Sequence, residues 1–154
     1  MIAALLTLAS PAPVLLPQLQ PFGFLVGHCW QGEIAPGQID RHCFTVLTDG
    51  TVRDRHLVSE RGKRVLAGET VYRWDAGAGA IAFIYRDSMG GRVAGSVRSR
   101  GNLIGFSGAY TTRGGQRFRI ASRWARIGDT TYRAEIRSTD LPQVNATTLY
   151  RRID

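Results

Sequence analysis

The sequence predicts an all-β fold: an up-and-down antiparallel barrel of about ten strands with a short helix ahead of it. Three observations carry this prediction. After Gly27 the apolar residues alternate with period two rather than 3.6. Turn signals recur every 11 to 15 residues, from Pro36-Gly37 and Asp49-Gly50 to Gly114-Gly115 and Gly128-Asp129. Each lies between β-rich runs, as hairpins require. No segment between them has the length and period of an amphipathic helix.

The chain starts without charge. Its 154 residues carry no Asp, Glu, Lys or Arg before Glu33. Residues 2–9 are apolar apart from Thr7, and Ser10-Pro11-Ala12-Pro13 follows. This reads as the apolar part of a secretory leader, here assigned to residues 1–17, although the usual basic start is missing. Pro11, Pro13, Pro17 and Pro21 interrupt every window long enough for a membrane helix. A single barrel domain is assigned to residues 18–154. Residues 18–26 are mostly apolar and suit a helical turn or two plugging a barrel end.

The strands are expected at 28–35, 39–47, 51–59, 65–75, 80–87, 92–98, 103–111, 117–127, 130–138 and 147–152. The faces follow from pairing across the turns. With a four-residue loop at 76–79, Trp74 opposes Ile81, Tyr72 opposes Phe83 and Thr70 opposes Tyr85, all on one side. Glu69 then opposes Arg86 on the other, an opposite-charge cross-strand pair. A three-residue loop at 128–130 sets Trp124 opposite Ala134 and Arg123 opposite Glu135. A meander with one apolar face closes on itself, because closure removes exposed edges. A barrel of eight to ten strands has an interior that is filled or holds one small ligand.

Charge points the same way. The 20 cations against 12 acids give a net charge of +8, and Lys63 is the single lysine. Such a balance invites a nucleic-acid reading. No run of cations exceeds two, however, and Arg117, Arg119, Arg123, Arg133 and Arg137 fall on the polar phase of the alternation. The excess is therefore expected on the barrel exterior. No nucleic-acid partner is expected, and weak contact with anionic envelope surfaces is the charge-based alternative.

Two Cys and three His cluster early. His28-Cys29-Trp30 and His42-Cys43-Phe44 fall on the first two strands. A hairpin centred on Pro36 puts Cys29 directly across from Cys43, on the face away from Trp30, Phe44 and Val46. Directly opposed residues are close enough for a disulfide, which suits an exported protein. The same register turns His28, His42, Trp30 and Phe44 inward.

Strand three has two settings. A three-residue loop at 48–50 faces His42 with His56 and Phe44 with Asp54. Imidazoles and a carboxylate then meet inside, as an acid/base or metal site needs. A two-residue Asp49-Gly50 turn instead brings Arg53 and Arg55 inward and His56 outward. That arrangement would suit an anionic head group such as a carboxylate. The sequence leaves both open.

The segment Phe24-Leu-Val-Gly27-His-Cys-Trp30-Gln-Gly32-Glu33 resembles the opening of lipocalin-like calycin barrels of the nitrobindin type. The resemblance implies a ten-stranded barrel, a Trp packed at the closed end and a cavity. The sequence departs from nitrobindin in two ways. Two residues, not one, separate Gly27 from Trp30, and nothing after His56 is His. A haem would need Tyr132 or Tyr150 as its ligand, so no haem or other cofactor is expected, and no bound metal.

The expected function is an exported, non-catalytic binding module for a small apolar, amphipathic or anionic ligand. The cavity candidates are Trp30, His42, Phe44, Arg53, Arg55, His56, Tyr72, Trp74, Phe83, Tyr85 and Trp124. The alternatives are a barrel-cavity isomerase or hydrolase using His42, His56 and Asp54, and an envelope interaction protein using the outer arginines.

Overall fold

A computed structural model describes residues 11–154. The expected leader falls mostly on residues 1–10, outside the described residues. A 3-10 helix, Pro17–Phe22, opens the fold. Ten strands follow: β1 (Cys29–Ala35), β2 (Gln38–Val46), β3 (Val52–Glu60), β4 (Lys63–Asp75), β5 (Ala80–Asp87), β6 (Arg92–Arg100), β7 (Leu103–Thr111), β8 (Arg117–Arg126), β9 (Thr131–Arg137) and β10 (Ala146–Arg152). Every strand pairs with its sequence neighbours, and β1 closes on β10 through Trp30 opposite Arg152 and Gln31 opposite Arg151. The ends lie within two residues of the expected ones, because turn chemistry and alternation are both local signals.

The expected cross-strand pairs are present. Trp74 opposes Ile81, Tyr72 opposes Phe83 and Glu69 opposes Arg86. Arg123 opposes Glu135, and its Nη2 donates to Glu135 Oε2 at 3.3 Å. Glu69 makes its ion pair with Arg55 at 3.1 Å, across the other strand neighbour. Arg117, Arg119, Arg123, Arg133 and Arg137 are all exposed. Exterior pairs of this kind contribute only about 0–1 kcal/mol each and leave the interior to decide the fold.

The helix plugs the end of the barrel that carries the β2–β3 turn. Leu19, Phe22 and Leu25 are fully buried, and Leu15 and Leu16 pack against the same core. The Leu16 amide donates to the Gly50 carbonyl at 3.1 Å, which ties the segment ahead of the helix to that turn. The Phe22 ring lies 4.3 Å from Tyr72 and 6.4 Å from Phe106. Trp30 is fully buried beside it, its Nε1 donating to the Leu25 carbonyl at 3.3 Å. This is the position the family resemblance implied for the Trp.

The disulfide joins Cys29 and Cys43, directly opposed residues of β1 and β2. It lies on the outer phase, back to back with the inward pair Trp30 and His42.

Candidate functional site

The β2–β3 turn decides the interior. Val46 opposes Val52, so the loop between the strands has its longer form rather than a two-residue turn. Asp49 Oδ1 accepts from the Thr51 amide at 3.0 Å and from its hydroxyl at 2.6 Å. Gly50 sits at φ +81°, where a Cβ would also meet Val14 and Leu16 at 2.8 Å. This combination turns the chain in three residues, with glycine in the left-handed position.

The consequence runs along the whole strand. His42 opposes His56 and Phe44 opposes Asp54. Because side chains alternate, Arg53 and Arg55 turn outward, which corrects their place among the cavity candidates. Arg55 is 64% exposed and ion-paired to Glu69. Arg53 is half-buried against the outer wall opposite Thr45 and Val71. His28 is a second correction. It precedes β1, and its Nδ1 lies 3.1 Å from Asp154 Oδ1 at the barrel rim, not inside.

The inward groups form one connected chain. His42 Nδ1 donates to Asp54 Oδ2 at 2.7 Å, and His42 Nε2 donates to Asp40 Oδ2 at 2.9 Å. His56 Nδ1 is 3.1 Å from Asp40 Oδ1, and His56 Nε2 is 3.0 Å from the Tyr85 hydroxyl. The Tyr150 hydroxyl donates to Asp40 Oδ2 at 2.8 Å. The two imidazoles stack, with centroids 5.0 Å apart and planes 20° apart.

Electrostatics follow from this geometry. Burial alone would push the His42 imidazolium toward neutrality. The flanking carboxylates of Asp54 and Asp40 outweigh that and raise its pKa to about 10. Burial would likewise raise the Asp40 pKa, but His42 and His56 reverse the direction and hold it well below the usual carboxylate range. Tyr150 is pushed well above the ordinary tyrosine value, first by burial and then by the Asp40 charge.

Asp40 is the residue that sequence reasoning missed. It lies two positions before His42, on the same face of β2, which is the signal that could have found it. Its partner Tyr150 is 110 residues away, so only barrel closure brings the two together. Two buried polar atoms have no partner among the described residues inside the barrel: Asp54 Oδ1 and the Tyr132 hydroxyl.

Glycine makes the His56 position possible. Gly68 opposes His56 on β4. A Cβ there would collide with His56 Nε2, and would lie 2.5 Å from Tyr85 Cε2 and 2.6 Å from His56 Cδ2. A shallow recess of about 350 Å³ opens over this point, lined in part by His56, Gly68 and Asp87.

The remaining candidates divide by depth. Trp30, Phe44, Tyr72 and Phe83 are buried in the plugged half of the core. Trp74, Tyr85 and Trp124 pack against that core but stay half-buried. Trp124 lies between Phe106, at 4.5 Å, and Tyr132, at 5.3 Å, with the His42 ring 6.3 Å away. Tyr132 and Tyr150 stack at 4.8 Å.

Exposure varies along the inner face. The inward positions Val52, Ile81, Val97, Ile104 and Tyr132 are at most 6% exposed. The inward positions Ile120, Ser122, Trp124, Ala134 and Ile136 are half-buried although they point into a closed barrel. His42 and His56 each keep 12% side-chain exposure on the facing wall.

No protein-family model and no curated protein matches the sequence. Among solved structures, the chain is similar to the crystal structure of Rv2717c from M. tuberculosis, with a TM-score of 0.62 and 14% identity. The match covers 91% of this chain and 99% of that one, and at this identity it is a likeness of fold alone.

Proposed function

We propose that the protein is a lipocalin-like binding barrel that takes a small amphipathic molecule against the inner wall formed by β8 and β9. The observation that carries this is the partial exposure of the inward residues Ile120, Ser122, Trp124, Ala134 and Ile136 on β8 and β9. Inward side chains that remain half-buried in a closed barrel leave room for a guest. The apolar body would lie against Trp124, Ile120, Ala134 and Ile136. The polar head would meet the wall of Asp40, His42, His56 and Tyr85. An anionic head loses its support, because Arg53 and Arg55 are outside and two carboxylates line the inner wall. The Cys29–Cys43 disulfide supports an oxidising, exported setting.

The test is a titration of chelator-treated protein with dodecanol and dodecanoate, followed by tryptophan fluorescence. The expected result is saturable binding of the alcohol, weaker binding of the acid, and loss of both when Ala134→Trp fills the interior. Unchanged fluorescence, together with no small-molecule adduct in native mass spectrometry of protein from its own host, would refute the proposal.

A second reading is a barrel-cavity isomerase or hydrolase using His42, His56 and Asp54. The three-residue loop favours it by placing all three inside. In this reading His42, fixed between Asp40 and Asp54, orients the cluster, and His56 is the group that meets the substrate. Turnover of a chromogenic ester or an enolisable ketone, abolished by His56→Gln, would support it. No turnover across such a panel would refute it.

A further inference from the structure

We infer that Asp40, His42 and His56 form a binding site for a divalent transition-metal ion of the zinc or iron(II) class. The inference does not depend on whether the barrel takes an organic ligand. Each residue offers a ligand atom, an Asp40 carboxylate oxygen, His42 Nε2 and His56 Nδ1, and these lie within 4.8 Å of one another. Asp40 Oδ2 lies 2.9 Å from His42 Nε2, and Asp40 Oδ1 lies 3.1 Å from His56 Nδ1. Ligands bound at about 2.1 Å from one ion stand roughly 3.0 to 3.4 Å apart; the ion would take the place of the proton that His42 Nε2 now donates to Asp40, that proton leaving to solvent.

The surroundings carry the inference further. A metal-binding histidine uses one ring nitrogen on the ion and fixes the other on an oxygen. Both imidazoles here are arranged that way. His42 Nδ1 is fixed on Asp54 at 2.7 Å, and His56 Nε2 is fixed on the Tyr85 hydroxyl at 3.0 Å. The third group is held as well, by the Tyr150 hydroxyl on Asp40 at 2.8 Å. Each of the three therefore has its own orienting partner.

Two further observations concern the residues packed against the cluster. Asp54 is 2% exposed, and its second oxygen, Oδ1, has no partner among the described residues. Gly68, in addition, leaves no Cβ in the space His56 Nε2 occupies, which makes room for the ring in this orientation. Two imidazoles and one carboxylate suit divalent first-row ions better than calcium or magnesium, which prefer an all-oxygen set. Open positions would remain for water or a ligand from the exposed side, where both rings keep some accessibility.

The experiment is a cobalt(II) titration of untagged, chelator-treated protein. Visible d–d absorption should saturate at one equivalent, and the His42 and His56 ring signals should shift or broaden in the proton spectrum. His56→Gln and Asp40→Asn should abolish the absorption. His28→Ala should retain it, since that ring stands on Asp154 at the rim. Tyr85→Phe, which removes only an orienting hydroxyl, should weaken affinity about 10- to 100-fold. The ring signals of the unaltered protein keep the test valid if a cluster variant fails to fold. Absent bands with unchanged His42 and His56 signals would overturn the inference. So would cobalt binding that survives in folded His56→Gln, or that disappears in His28→Ala.

Discussion

Breaking the disulfide should cost stability in a way the barrel's closure makes readable. The bond links residues 14 apart in sequence. Opening a loop of that size returns entropy to the unfolded chain worth about 3 kcal/mol at 25 °C. For a chain of this length that corresponds to a fall in Tm of about 6–12 °C. The location adds a local effect. β1 is the seam strand, paired to β10 through Trp30–Arg152 and Gln31–Arg151, with the Ile153 amide donating to the Cys29 carbonyl at 3.0 Å just beyond them. Its first residue is held by the disulfide, by the Asp154 carboxylate accepting from the Cys29 amide at 2.9 Å, and by its ladder to β2. The comparison is between the oxidised protein and a Cys29→Ser, Cys43→Ser double variant, by urea unfolding and amide exchange. A lower midpoint, a larger m-value from the less constrained unfolded state and faster exchange in β1 are expected. A loss below about 1 kcal/mol, with β1 exchange unchanged, would refute the argument that the bond restrains the unfolded chain and secures the seam.

Three further outcomes follow from packing and charge. Gly68→Ala should lose about 1–3 kcal/mol by overpacking and disturb the His56–Tyr85 contact, so the His56 ring signals should move while those of His28 stay in place. Phe22→Ala, which empties a fully buried ring from the plug, should cost about 3–5 kcal/mol in denaturant unfolding; a cost under 1 kcal/mol would mean the plug is not part of the core. All five tyrosines have pKa values raised above the ordinary 10.0, first by burial and then by neighbouring acidic groups, Tyr150 for Tyr132 and carboxylates such as Asp40, Asp54 and Asp87 for the others. A raised acid contributes stability that is complete below pH 10 and is lost as the pH climbs through the folded values. Tyrosinate absorbance should therefore rise together with loss of structure above pH 10, and a non-cooperative rise centred at pH 10 in folded protein would contradict the burial.

Local chemistry accounts for what could be read in advance. Strand positions, the inward phase of Tyr72 and Phe83, the Arg123–Glu135 pair and the Cys29–Cys43 bond all follow from alternation plus loop length between neighbouring strands. In an up-and-down meander each strand's partner is its neighbour, so a period of two and a turn are enough to set the pair. The facing of β3 was different, because Asp49-Gly50 fits both a two-residue turn and a three-residue loop. The choice rests on the Asp49 cap to Thr51 and on Leu16 reaching Gly50 from the plug, and the second of these is a contact across the barrel end. Asp40 shows the same limit more sharply. Its inward phase was written in β2, and its meeting with His56 follows from the β2–β3 register, but its meeting with Tyr150 needed β1 to close on β10. Alternation assigns a residue to a face; only the curvature and closure of the sheet determine which residues on that face meet at one point.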